Sequence, residues 1–378
     1  MTLIASTLNH KMPFVLSDIL WTYRPPKRGA VGPLQKILKQ KMYIINETAC
    51  VVFAGISPEI GKFLAEMKEH FKDKKVTHNR LHKFLQNYNL DKEFGKSAFF
   101  ITYFQNLKYP KVFCHQFHRP KETNEVDRDN FSVSDSKWNI MADPIFDMVW
   151  ACGSGSADFL EKVKERYSVE SQFPEGHFMR ATQTNTTLLS RVLTKEKRKE
   201  INGENDNQDW GVGFEAAYYD GKKFNKIDDI VYAISYGEYD DKGKGKVDDL
   251  RPVILMYYKY INEILYIIEI RLGNFNKIET ETHIIYTFVP PEYRVTVYEV
   301  EGIDVNVDDY QLPASLSFTT ENVAMNFVVP TKTGYINPAF FNPSPAVVVS
   351  YQQNKYVRVS VDKFIDGKIK GITERLFS

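Results

Sequence analysis

Between Glu238 and Asp249 the chain reads Glu-Tyr-Asp-Asp-Lys-Gly-Lys-Gly-Lys-Val-Asp-Asp, a charged, glycine-punctuated run with too little apolar surface to pack into a core. It divides the 378 residues into two parts of different character. Before it, strand-like and helix-like periods alternate; after it, almost every apolar run has the spacing or length of a strand. The chain is long enough for two separate cores. The expectation is a first domain over residues 1–236, a linker over 237–250 and a second domain over 251–378.

In the first part, two opening strands precede a connection, Trp21 to Leu34, and then strands near 41–45 and 48–54. Ser57-Pro58 has the form of a helix cap followed by proline at the first helical position. Ile60, Phe63, Leu64, Met67 and Phe71 then recur at helical spacing. A second helix is expected from about Thr77, with Leu81, Phe84, Leu85 and Tyr88 on one face. Strands follow at 98–104 and 111–117, and residues 119–138 read as a polar insertion. Helices are expected over 157–167 and about 184–201, and strands resume at 213–219 and 229–236. The second part carries eight expected strands, of which Arg294-Val295-Thr296-Val297-Tyr298-Glu299-Val300 alternates most regularly. It reads as an antiparallel sandwich or barrel without catalytic spacing, a binding or assembly module.

The chain opens Met1-Thr2-Leu3-Ile4-Ala5. Methionine aminopeptidases remove an initiator Met that precedes a small side chain, and Thr qualifies. The product would carry an α-amine of pKa about 8 beside a β-hydroxyl. One residue then holds both a nucleophile and its base.

Two further features extend this opening. Thr2-Leu3-Ile4-Ala5-Ser6-Thr7-Leu8 is followed by Met12-Pro13-Phe14-Val15-Leu16-Ser17-Asp18, a strand pair ending in Asp. Lys41 then precedes an apolar run that closes Phe53-Ala54-Gly55. Together these resemble the N-terminal nucleophile (Ntn) hydrolases of the proteasome β-subunit and HslV-like kind, over roughly residues 2–235. Gly153-Ser154-Gly155 is similar to that family's Gly-Ser-Gly loop. Asp206-Asn207-Gln208-Asp209-Trp210-Gly211 matches half of its Asp-x-x-Ser-Gly-Gly motif, with Asp209 and Trp210 replacing Ser and Gly. The Trp21–Leu34 connection, which contains Arg24-Pro25-Pro26-Lys27-Arg28-Gly29, is longer than usual between the Asp and the Lys.

The resemblance implies an α+β fold: an αββα Ntn-hydrolase-like sandwich, followed here by the antiparallel β-rich domain. It implies a threonine peptidase or related amidohydrolase. Thr2 would attack a carbonyl carbon while its amine moves the proton. Lys41 would favour the ionised hydroxyl, and Asp18 would hold Lys41 charged and oriented. The Gly55 N–H would receive the oxyanion, and Ser154 and Asp206 would steady the Thr2 amine. Phe53 would floor the substrate pocket and favour small or branched side chains. Each residue has a plainer reading too. Lys41 ends a solvated run with Lys36 and Lys39, Asp18 closes a strand as a turn former, Phe53 is a core ring, and Gly55 serves a strand-to-helix turn. The half-matched Asp206–Gly211 motif also suits a catalytically silent scaffold acting through its β domain.

Partners follow from the same reading: a peptide or amide substrate, further copies in a closed ring, and a protein partner for the second domain. Lys and Arg total 49 against 48 Asp and Glu, which gives no global basic field for nucleic acid. Three cysteines without pairing logic indicate a reducing, cytoplasmic setting and no disulfide framework. Apolar runs such as Val253–Met256 are too short to span a bilayer. Cys114, His115 and His118 lack a second ligand pair at zinc spacing, so no metal or other cofactor is expected.

Overall fold

The structure, a computed structural model, describes residues 3–9, 12–23, 35–54, 60–88, 98–106, 109–115, 139–141, 148–153, 155, 156, 159, 213–236, 238–239, 245–246, 252–300, 302, 315–320, 322–328, 335–336, 339–341 and 347–363. Most of them are in strands, and every described pairing but one is antiparallel. Two compact units divide the chain. One comprises Met1–Leu189, Asn207–Ile227 and Glu301–Val305; the other comprises Ser190–Asp206, Asp228–Val300 and Asn306–Ser378.

The first unit opens with the hairpin β1 (Ile4–Asn9) and β2 (Met12–Asp18), followed by a second, β3 (Leu20–Tyr23) and β4 (Gln35–Leu38). The latter borders the connection that the sequence leaves as a loop. Next come β5 (Met42–Asn46), β6 (Ala49–Ala54), α1 (Ile60–Phe71), α2 (His78–Leu85), β7 (Ala98–Asn106) and β8 (Tyr109–His115). The unit continues with β9 (Asn139–Met141), β10 (Met148–Cys152), β11 (Phe214–Tyr219) and β12 (Phe224–Lys226). The strands form two main sheets, β12-β11-β2-β1-β10-β9 and β5-β6-β7-β8.

Strand β6 is buried on both faces because its two residue sets serve two cores. Ala49, Val51 and Phe53 pack with Ile60, Phe63, Leu64, Met67 and Phe71 of α1 and with Leu81, Phe84 and Leu85 of α2. Cys50, Val52 and Ala54 pack with Ile4 and Val15 of the six-stranded sheet and with Ala217 and Tyr219. Helices therefore cover one face of the four-stranded sheet, and the six-stranded sheet covers the other. The helical periodicity places both helices correctly. Thr77 caps α2 by accepting from the Arg80 N–H at 3.5 Å. Of the helix expected over 157–167, the described part is its approach: Ser156 N–H donates to Gly153 O, Phe159 N–H donates to Gly155 O, and Phe159 is fully buried. The helix expected over 184–201 lies outside the described residues.

The second unit begins at β13 (Ile230–Tyr236), which the sequence assigns to the first domain. It then runs β14 (Glu238–Tyr239), β15 (Gly245–Lys246), β16 (Pro252–Ile261), β17 (Ile264–Leu272), β18 (Asn276–Glu279), β19 (His283–Phe288) and β20 (Tyr293–Val300). It ends with β21 (Ser315–Thr320), β22 (Asn322–Val328), β23 (Tyr335–Ile336), β24 (Ala339–Phe341), β25 (Val347–Gln352) and β26 (Tyr356–Asp362). One sheet has the order β20-β17-β16-β13-β22-β23, with β24 also on β22; the other is β18-β19-β26-β25-β21. Val231, Leu255, Ile268 and Ile270 of the first sheet pack against Tyr286, Phe288, Val349 and Val359 of the second. Of the two expected forms, sandwich or barrel, this is a sandwich.

The charged run at 238–249 does not separate the units. It connects β13 to its antiparallel neighbour β16, and part of it pairs as the short β14–β15 hairpin. Composition marks it as unable to enter a core, and a connection between neighbouring strands of one sheet satisfies that constraint as well as a linker does.

Candidate active site

Asp18 ends β2 where β1 begins, and the backbone closes that end by the Asp18 N–H donating to Leu3 O at 2.9 Å. The carboxylate turns back onto the same residue: Leu3 N–H donates to Asp18 Oδ1 at 2.8 Å. The same oxygen accepts from Lys41 Nζ at 2.6 Å, and Lys41 Nζ also donates to Leu20 O at 2.7 Å. Asp18 is fully buried and Lys41 is 1% exposed. Lys41 therefore does not share the solvated character of a lysine run; it is a buried cation with a buried counter-ion. Burial pushes its pKa below the ordinary lysine value, against the opposing pull of Asp18 and Glu215.

The Leu3 nitrogen belongs to the peptide bond that joins it to Thr2. Asp18 Oδ1 thus holds both the ammonium of Lys41 and the peptide unit that follows Thr2. Thr2 itself, Gly55, Ser154 and Asp206 lie outside the described residues.

The backbone of Lys41 is fixed on both sides. Its carbonyl accepts from the Phe53 N–H at 2.9 Å, and its N–H donates to Glu215 Oε2 at 2.8 Å. Glu215 Oε2 also accepts from the Met42 N–H at 3.3 Å, while Glu215 Oε1 faces Lys226 Nζ at 3.1 Å. Lys226 Nζ donates in addition to Gln40 Oε1 at 2.7 Å. The sequence reading missed Glu215, Lys226 and Gln40. The one local signal was a Glu inside the otherwise apolar strand Phe-Glu-Ala-Ala-Tyr-Tyr, at a position that proves to face the core.

Phe53 is fully buried, with ring centroids 6.1 Å from Tyr43, 6.3 Å from Phe63 and 6.0 Å from Phe99. Those contacts are with the core under α1 and α2. Cys50 and Cys152 lie at the inner face of the two sheets. Burial pushes the Cys50 thiol above its ordinary range, and it pushes Cys152 up to about 11. Iodoacetamide at pH 8 is therefore expected to spare both in the native protein and to modify both in urea, as read by peptide mass. For Cys152 the folded value stands above the ordinary 9.0, so the folded chain keeps a proton that the unfolded chain sheds. That contribution to stability is complete below about pH 9 and is lost as pH rises towards about 11.

Among the described residues no helix is long and apolar enough to cross a membrane. No protein-family model matches the chain, and no curated protein matches it either.

Proposed function

We propose that the chain is an N-terminal-threonine amidohydrolase of the peptidase kind, acting through Thr2 once Met1 is removed. The observation that carries this reading is the shared Asp18 Oδ1, which ties the buried Lys41 ammonium to the peptide unit next to Thr2. A buried ion pair costs more desolvation than an apolar pair of the same volume, so its place beside the chain's start calls for a chemical use. Thr2 Oγ attacks the substrate carbonyl, and its proton passes to the Thr2 α-amine, directly or through water. The oxyanion forms against the Gly55 N–H. The amine then protonates the leaving nitrogen, and water hydrolyses the ester left on Thr2. Lys41, held by Asp18, favours the ionised Oγ, and Ser154 and Asp206 steady the amine.

The layering of α1 and α2, the four-stranded sheet and the six-stranded sheet supports the same reading of the fold. A helix over 157–167 on the other face of the six-stranded sheet would complete an αββα sandwich, and ring assembly would follow the resemblance. The second reading, a silent scaffold that engages a protein partner through the β-sandwich, is favoured by Asp209 and Trp210 in the half-matched motif.

Intact mass before and after exposure to a peptide epoxyketone separates the two. Loss of Met1 with one stoichiometric adduct, absent in Thr2→Ala, is the expected result. Retained Met1 with no adduct would sink the enzyme and leave the scaffold.

A further inference from the structure

Glu215 is 1% exposed, and strand register sets it beside the candidate site: on β11 it pairs with Ser17, while its neighbour Phe214 pairs with Asp18. Its two oxygens do different things. Oε2 accepts the N–H groups of Lys41 and Met42, so it fixes the entry of β5, from which the Lys41 side chain departs. Oε1 meets Lys226 Nζ, whose second acceptor is Gln40 Oε1, so the consecutive residues Gln40, Lys41 and Met42 are all tied to β11 and β12. A glutamine could accept the same two N–H groups without bringing a charge into the interior. The charge is therefore the part of the arrangement that backbone pairing alone does not require.

We infer that Glu215 is a positioning residue for Lys41: it sets the backbone that aims Nζ at Asp18 Oδ1, and its carboxylate, balanced by Lys226, helps keep the Lys41 ammonium charged. The inference rests on the reading of Thr2 as the nucleophile, because it assigns Lys41 a cationic role there. Asp18 and Glu215 are the anions that raise the affinity of Lys41 for its proton. Cys50 also lies within the field of Glu215 and Lys226, and burial keeps its thiol protonated.

Two variants of the full chain test this. Glu215→Gln keeps the shape and the acceptor oxygen but removes the charge. The double variant E215Q with Lys226→Met removes the buried pair as a unit, which protects the test if the single variant folds poorly. Two readouts are taken: the midpoint of the Lys41 ammonium titration by NMR of isotope-labelled lysine, assigned with Lys41→Arg, and the pH profile of epoxyketone labelling. In E215Q the Lys41 midpoint is expected to fall, and in the double variant to fall less, because the repulsion of Lys226 is removed with the attraction of Glu215; the alkaline limb of labelling moves with it. An unchanged Lys41 midpoint overturns the inference, whether or not Thr2 labels. A wild-type chain that does not label overturns the reading of Thr2, and with it the catalytic use of Lys41; the Lys41 midpoint then still decides whether Glu215 holds its charge.

Discussion

Lys41→Met is expected to lower the unfolding free energy by about 3–5 kcal/mol at pH 7 and to abolish labelling at Thr2. The variant leaves the Asp18 carboxylate fully buried with its cation gone. An uncompensated buried anion is the costly outcome; the attraction lost with the pair is the smaller part. A second substitution identifies that cause. Adding Asp18→Asn to Lys41→Met should recover much of the loss, because the double variant buries no charge at this point. Equal urea midpoints for Lys41→Met and wild type would mean that the pair is not buried in solution.

Phe53→Ala is expected to cost about 3–5 kcal/mol, the range for deleting a fully buried phenyl ring. The ring meets Tyr43, Phe63 and Phe99, and those rings sit between β6 and α1, so the cavity cannot be filled by a surface side chain. Urea denaturation reads the loss directly; a cost below about 1 kcal/mol would show that the layer collapses around the gap. Phe53→Leu separates core from pocket. It keeps most of the apolar volume, so a changed preference among peptide epoxyketones in that variant would assign the ring to substrate recognition as well. An unchanged preference confines it to the core.

Local pattern and long-range partnership were not equally legible in the sequence. The helical spacing from Ile60 to Phe71 encodes its own burial, and those five apolar residues are buried as their period requires. Likewise the two opening strands lie two residues apart in sequence and pair antiparallel, so the end of β2 must return beside the start of β1 and bring Asp18 to Leu3. The meeting of Lys41 with Asp18 followed from the family resemblance rather than from any local rule. Glu215 was invisible for the opposite reason. Its partners Lys41 and Met42 are distant in sequence, and a Glu in a strand ordinarily marks the solvent face. The same ambiguity hid Glu269, which is 1% exposed in β17 and bonded to Arg271 at 2.8 Å. The charged run at 238–249 misled because composition reports what stays out of a core without saying which strands it joins.

The one parallel pairing among the described residues sets a timetable for making the second unit. β13 has β16 on one edge and β22 on the other, with Ile230 opposite Asn322 and Tyr236 opposite Val328. A nascent chain can zip β13, β16, β17 and β20 as soon as each emerges, since these are antiparallel neighbours. The far edge of β13 must wait for residues 322–328, and parallel partners so remote in sequence close slowly. During that interval a strand with a buried, apolar centre offers its free N–H and C=O groups to any other strand nearby. Chains cut short of Asn322 would carry that open edge permanently, which makes the stretch from β13 to β22 the place where aggregation during synthesis would begin.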